Sequence, residues 1–556
     1  MLSRLTRRHN PLSFVSLILL LAMAFLCAGC QEDAGEKTPA AAKDSAQGPA
    51  QTSARAGRTL VYASTKDIRD INPHLYGGEM AAQGMVFESL VTNTTQGVQP
   101  CLATSWEISE DGTIYTFFLR KDVRFSDGTP FDAEAVRLNI EAVLANRLRH
   151  AWLDLVNEID RCEVVDSHTV RLVLRHAYYP TLVELGMMRP FRFISPKCFV
   201  NGGTAGGVSG LAGTGPWILS EHRLGEYALF TANPGYWGEK PRIDSVRWKV
   251  VPDHQAIILG LQKGEIDLVF GSDGDMFSLD NFEALKAMDR FATAQSQPIA
   301  SRAILVNAHQ HFTKERAVRI ALQYAVDRQA IVDGLLNGSE TRADTLLSPE
   351  VLYCDVPLDI RSHDPAKAAR LLDEAGWVMG ADGVREKGSD KAVVRLAYNA
   401  NNAQEKSIGE FLQANLKALG IEIRLLGEEK QAFLDRQKSG DFEMQYSLSW
   451  GTPYDPQSYV SSWRLPAHGD YQAQVGLERK EWLDGQITRL MTERDEQVRR
   501  DLYRDILTYV HNEGVYIPLS YSRTRAVFVK ELSGVSFGLS QYEIPFEKMF
   551  FADKAR

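Results

Sequence analysis

Residues 393–426 carry the pattern that most narrows the fold. VVRLAYN (393–399) reads as a strand, EKSIGEFLQANLKALG (405–420) as a helix and IEIRLL (421–426) as another strand. Strand, helix and strand in succession make a βαβ unit, which calls for an α/β layer architecture. Just before it, HDPAKAARLLDEAGW (363–377) has the punctuation of a complete helix. Asp364 can cap it, Pro365 suits the first turn and Gly376 ends it. An α/β lobe is therefore expected from about residue 300.

Both hydrophobic periods recur elsewhere. TVRLVLR (169–175) and SVRWKVV (245–251) alternate like half-buried strands, and TIYTFFLR (113–120) is strand-like by composition. FDAEAVRLNIEAVLANRL (131–148) has helical spacing, as does EQVRRDLYRDILTYVHNEG (496–514), which precedes strand-like VYIPLSYS and RAVFVK. At 556 residues the chain exceeds one simple core and should divide into two or more lobes. The net charge of −9, with no basic stripe, argues against a nucleic-acid partner.

The N-terminal residues 1–30 read as a secretory signal. Arg4, Arg7 and Arg8 precede the apolar run LSFVSLILLLAMAFLCAG, which ends at Cys30 behind Ala28 and Gly29. That ending is lipobox-like, although Cys27 stands where a leucine is usual, and it predicts lipid attachment at Cys30. Residues 31–58 hold no aromatic or large aliphatic side chain and should form a disordered tether. Beyond them Cys101, Cys162, Cys198 and Cys354 show no metal-like spacing, and whether they pair is open.

No catalytic signature is present: HExxH and Walker A patterns are absent, and no GxSxG or Rossmann fingerprint stands in a strand–turn–helix setting. His309 and His311 sit in polar NAHQHFTKE, which reads as a solvated loop. GEIDLVFGSDGD (264–275) lacks the ligand order of an EF-hand and reads as strand and turn. The chain is not expected to be an enzyme. More telling is WGTPYDP (450–456), an aperiodic segment with a tryptophan, a tyrosine and two prolines, followed by His468. Aromatics carried on a stiff loop are usually carried for a contact, so this segment reads as the wall of a site.

Several stretches together resemble the family 5 extracellular solute-binding proteins of ABC importers. They include INPHLY with VFESLV, LATSWEISEDGTIYTFFLRKDVRFSDGTPFDAEAV, GTGPW, NPGYWGEKP, GEIDL and IALQYAVDRQAIVDGLL. The resemblance runs from about residue 60 to the C-terminus. It implies a two-lobe, hinged α/β fold that closes over a ligand, with a large discontinuous first lobe. That lobe would comprise 59–299 and 521–556, and the second 300–520.

NRLRHAWLDL, RPFRFISP, GTGPWIL, ADTLLSP, WGTPYDP, LYRDIL and EIPFE are similar to the nickel-binding branch of that family. The resemblance implies capture of Ni(II) as a chelate with a small organic molecule such as histidine. On this correspondence His468 is the metal ligand, Arg149 and Arg189 face the chelator's carboxylates, and Trp152, Trp450 and Tyr454 form walls. Tyr76 and Met80 would complete the pocket. The Tyr76–Met80 spacing is one residue shorter than in that branch, and Tyr542 stands where a small hydroxyl residue is expected. Both departures bear on which chelator fits.

The chemistry is coherent. A naked Ni(II) ion needs several nitrogen or oxygen donors, and the sequence clusters none, so one histidine suffices only for an ion already chelated. Arginine can grip a carboxylate with two parallel hydrogen bonds, which lysine cannot imitate. The expected protein is a monomer that holds no permanent cofactor. It would be periplasmic, tethered to a membrane, and would hand its cargo to an inner-membrane ABC permease. The competing expectation is a di- or oligopeptide-binding protein on the same scaffold.

Overall fold

The βαβ unit forms where its pattern lies. In the computed structural model, strand Val393–Asn399 pairs in parallel with Glu422–Glu428, and helix Ala403–Lys417 crosses between them. The Asn402 side chain caps that helix by accepting from the backbone N–H groups of Gln404 and Glu405. Ile408, Leu412 and Leu416 form its buried stripe. Each such side chain contributes roughly 1.5–3 kcal/mol when fully withdrawn from water. The expected cap at Asp364 is also present, its carboxylate accepting from Lys367 N at 2.8 Å, and Gly376 ends the helix at φ +85°.

The structure describes residues 59–271 and 276–552. The signal segment, Cys30 and the tether therefore lie outside the described residues. Among those described, no helix is long and apolar enough to cross a membrane. Cys101, Cys162, Cys198 and Cys354 are free thiols, and all but Cys101 are buried.

Two large sheets organise the chain, which bears out the mixed α/β class. The seven-stranded sheet runs in the order Trp217–Arg223, Tyr227–Ala232, Ser245–Val250, Thr59–Ser64, Leu268–Gly271, Arg525–Val529, Phe291–Gln295. It thus takes strands from both ends of the described chain. The six-stranded sheet runs Thr341–Arg342, Tyr516–Ser522, Ala300–Val306, Met444–Leu448, Val393–Asn399, Glu422–Glu428. A separate four-stranded antiparallel sheet holds Ala103–Ile108, Ile114–Leu119, Thr169–Leu174 and Ile159–Asp166.

The chain passes between the large sheets twice, at residues 296–299 and 523–524, and the two passes are tied together. Ser296 N donates to Thr524 O, Thr524 N donates to Ser296 Oγ, and Ile299 N donates to Ser522 O, at 2.8–2.9 Å. Beside the crossing lies a fully buried ion pair, Arg302 Nη2 to Glu340 Oε1 at 3.0 Å, with Arg525 Nη2 3.6 Å from the same oxygen. Strands Ala300–Val306 and Tyr516–Ser522 are buried at every residue, so this hydrogen-bonded pair forms the inner part of the six-stranded sheet.

Candidate ligand-binding site

Three segments from the first half of the chain converge on one wall, and two buried histidines hold them in register. His74 Nε2 donates to Arg192 O at 3.0 Å while its Nδ1 accepts from Thr204 Oγ1 at 2.9 Å. His150 Nε2 donates to His74 O at 3.1 Å. A backbone carbonyl can only accept, so both rings must carry hydrogen on Nε2. Desolvation pulls both pKa values down to about 4, which keeps the rings neutral. These bonds lock the segments bearing Tyr76, Trp152 and Arg189 to one another.

Arg189 is half-buried. Its Nη1 donates to the carbonyl oxygens of Tyr76 and Gly78, both at 3.1 Å, and its guanidinium carbon lies 4.3 Å from the Tyr76 ring centroid. Nε and Nη2 have no protein partner among the described residues. Burial is the largest influence on this group and lowers its pKa, so an anion reaching it meets a poorly hydrated cation.

The facing wall comes from the second half. Gly451 turns the chain at φ +78°, and the N–H groups of Tyr454 and Asp455 both donate to its carbonyl. A side chain at 451 would adopt that backbone poorly and would also meet Ile299 O at 3.0 Å. The turn leaves Trp450 half-buried and packs Tyr454 against the core, with 6% exposed. His468 stands at the N-cap of helix Gly469–Gln474, partly buried rather than solvated, and desolvation lowers its pKa below the ordinary 6.5.

The walls meet in a ladder of rings. Tyr76 and Trp152 are edge to face at 5.4 Å, Trp152 and Trp450 lie 5.6 Å apart, and Trp450 and His468 5.5 Å apart. His468 Nε2 donates to Trp152 O at 3.2 Å. Two residues on, Asp154 accepts from both Arg464 and Ser461, which clamps the same two segments. The Trp152 indole N–H is buried with no partner among the described residues.

These rings border a cavity of about 350 Å³. Tyr76, Met80, Trp152, Arg189, Trp450, Tyr454 and His468, all singled out in the sequence, line it, as does Tyr542. Arg149 does not: it is exposed in the single turn Arg147–His150 and is absent from the lining, whereas its neighbour His150 is buried. The sequence reading missed Met187, Met188, Lys430, Leu434, Leu448 and Ser449. The two methionines directly precede Arg189 and could have been drawn in by proximity. Lys430 and Leu434 lie on the ordinary surface helix Lys430–Ser439 and carry no local signal. An adjoining cavity of about 370 Å³ shares Tyr76, Met80, Arg189, Lys430 and Tyr542.

The model of the bacterial extracellular solute-binding proteins, family 5 (middle), matches residues 97–471. The chain belongs to this family. Among family 5 relatives, the nickel-binding periplasmic protein of Escherichia coli K12 is 42% identical over 486 residues, which cover 87% of this chain and 93% of that protein. The dipeptide-binding protein of the same organism is 26% identical, covering 86% and 92%. The solved structure of NikA from Brucella suis in complex with Fe(III)-EDTA has 45% identity and a TM-score of 0.86, covering 89% of this chain and all of that one. The fold is thus the two-lobed fold of family 5 periplasmic binding proteins.

Proposed function

We propose that this protein is the substrate-binding lipoprotein of an ABC importer, and that it captures nickel as a small organic chelate for delivery to an inner-membrane permease. The observation that carries the reading is the single imidazole, His468, in an aromatic cavity whose Arg189 keeps unused hydrogen-bond donors. One neutral nitrogen cannot satisfy Ni(II), and among the described residues no group of three or more His, Cys, Asp or Glu could hold an ion. The metal must therefore arrive with most of its coordination sphere filled. The 42% identity to a nickel-binding periplasmic protein supports the same cargo.

Each residue then has a role. With Nε2 donating to Trp152 O, the lone pair of the His468 ring is on Nδ1, the atom that would meet the metal. Arg189 receives a chelator carboxylate through Nε and Nη2. Trp152, Trp450 and Tyr454 exclude water, which strengthens both interactions. The tied crossings at 296–299 and 523–524 suit a hinge between a lobe of 59–299 with 521–556 and a lobe of 300–520. Attachment through Cys30 and the tether would keep the protein beside its permease. A peptide amine would call for a carboxylate, and among the described residues none lines the cavity that holds His468.

Titration calorimetry of tether-free protein tests this with Ni(II) alone, Ni(II) with histidine, and a peptide mixture. Heat only when metal and chelator are both present is expected. Peptide binding that ignores nickel would place the protein among peptide carriers instead.

A further inference from the structure

We infer that Lys430 is a specificity-determining residue that binds a second carboxylate of the cargo, opposite the one held by Arg189, so that the site favours chelators bearing at least two carboxylates over those, such as histidine, that bear one. The inference rests on the metal-chelate reading. Arg189 and Lys430 are the two cations that line the His468 cavity, and both also line the adjoining one. Among the described residues no carboxylate lines the first. In the second, Glu79 is engaged with Arg69 at 3.1 Å. The lining of the His468 cavity thus presents positive charge from two sources, with no carboxylate among the described residues that line it.

The two cations stand on different halves of the molecule. Arg189 follows helix Thr181–Leu185, whereas Lys430 opens helix Lys430–Ser439, which packs beside the βαβ strands of the six-stranded sheet. Among the described residues Lys430 has no acidic partner, and its Nζ lies 5.4 Å from the Phe433 ring centroid. Its place in the helix is unfavourable in itself, since a cation in the first turn opposes the helix dipole. An unpaired cation held at such a place, on a cavity with no carboxylate among its described lining residues, is explained by an anion that arrives with the ligand. Lysine acts as a point charge and tolerates a carboxylate at varied angles, whereas Arg189 dictates geometry. One end of the chelator is therefore oriented and the other attracted.

The test compares wild type with Lys430→Met and Lys430→Arg by calorimetry against nickel citrate, a tricarboxylate complex, and nickel histidine, in which each chelator molecule has one carboxylate. Lys430 is exposed, and an unchanged melting midpoint will confirm that each variant is folded. Lys430→Met is expected to weaken the citrate complex about tenfold or more, as for a lost charge-assisted bond, and to weaken the histidine complex less. Lys430→Arg should retain most of the affinity. Equal effects on both complexes, no effect on either, or a Lys430→Arg as weak as Lys430→Met would overturn the inference. Binding of nickel histidine alone by the wild type would overturn it too, yet leave the chelate reading standing. Failure of the wild type to bind either complex overturns both.

Discussion

His468 Nε2 lies 3.2 Å from the carbonyl oxygen of Trp152, residues 316 positions apart in sequence. The bond fixes the ring's orientation and tautomer, because the carbonyl accepts the Nε2 hydrogen and leaves the lone pair on Nδ1. It also joins the two walls of the cavity at the point where the cargo metal would bind. Replacement by glutamine, whose amide can still donate to that carbonyl, separates the two roles. His468→Gln is expected to keep the melting midpoint near wild type and to weaken nickel-chelate binding at least tenfold. Undiminished affinity in calorimetry would remove the ligating role.

Arg189→Lys tests carboxylate recognition from the other side. Lysine cannot at once hold the Tyr76 and Gly78 carbonyls and present two further parallel donors. Affinity for nickel histidine should fall by about tenfold or more, corresponding to roughly 1.5–3 kcal/mol for a bond to a charged group. An isotherm that superimposes on wild type would refute the two-pronged contact.

Acid should loosen the frame that carries Tyr76, Trp152 and Arg189. His74 and His150 have pKa values of about 4 in the folded protein against 6.5 for an ordinary histidine. Below pH 6.5 the unfolded chain gains protons that the folded one does not. Their contribution to stability is therefore complete above 6.5 and declines until about pH 4, by up to about 1.4 kcal/mol per pH unit for each ring. The shift at His468 has the same sign, so cargo affinity should persist through pH 6.5 and decline only in more acid solution than an ordinary histidine would require. Ring proton resonances followed from pH 7.5 to 4.5 check this. Titration of His74 and His150 near 6.5 would show that the rings are not desolvated.

Glu340→Ala would strand Arg302 in the core beside the crossing between the sheets. Both side chains of this pair have no exposed surface. Removing one partner of a buried pair costs about 3–5 kcal/mol, because the remaining charge stays desolvated. Denaturant unfolding should show a loss of that order, and a change under 1 kcal/mol would mean that water or another group takes over.

Tyr542 borders both cavities, where the sequence comparison leads one to expect a small hydroxyl residue. Tyr542→Ser should join the two spaces and raise the affinity for nickel citrate relative to nickel histidine. A ratio unchanged within twofold would show that the tyrosine does not limit the pocket.

Local sequence was enough for the elements that local physics controls. The βαβ unit at 393–428, the Asp364 cap and the Gly376 stop depend on side-chain period and on bonds spanning three or four residues, and each stands where it was read. The aromatic loop and His468 were legible through their odd composition and the family resemblance. Which of them touch was not, because the ladder from Tyr76 through Trp152 and Trp450 to His468 joins segments up to about 390 positions apart. Arg149 and Lys430 show the same limit from both sides. A charged residue beside a site motif and one at the start of a surface helix look alike in sequence, and only the packing of the helices decides which faces the cavity. Side-chain type and spacing settle what a segment can become. Tertiary packing settles which groups lose their water together, and in this protein that is what makes a site.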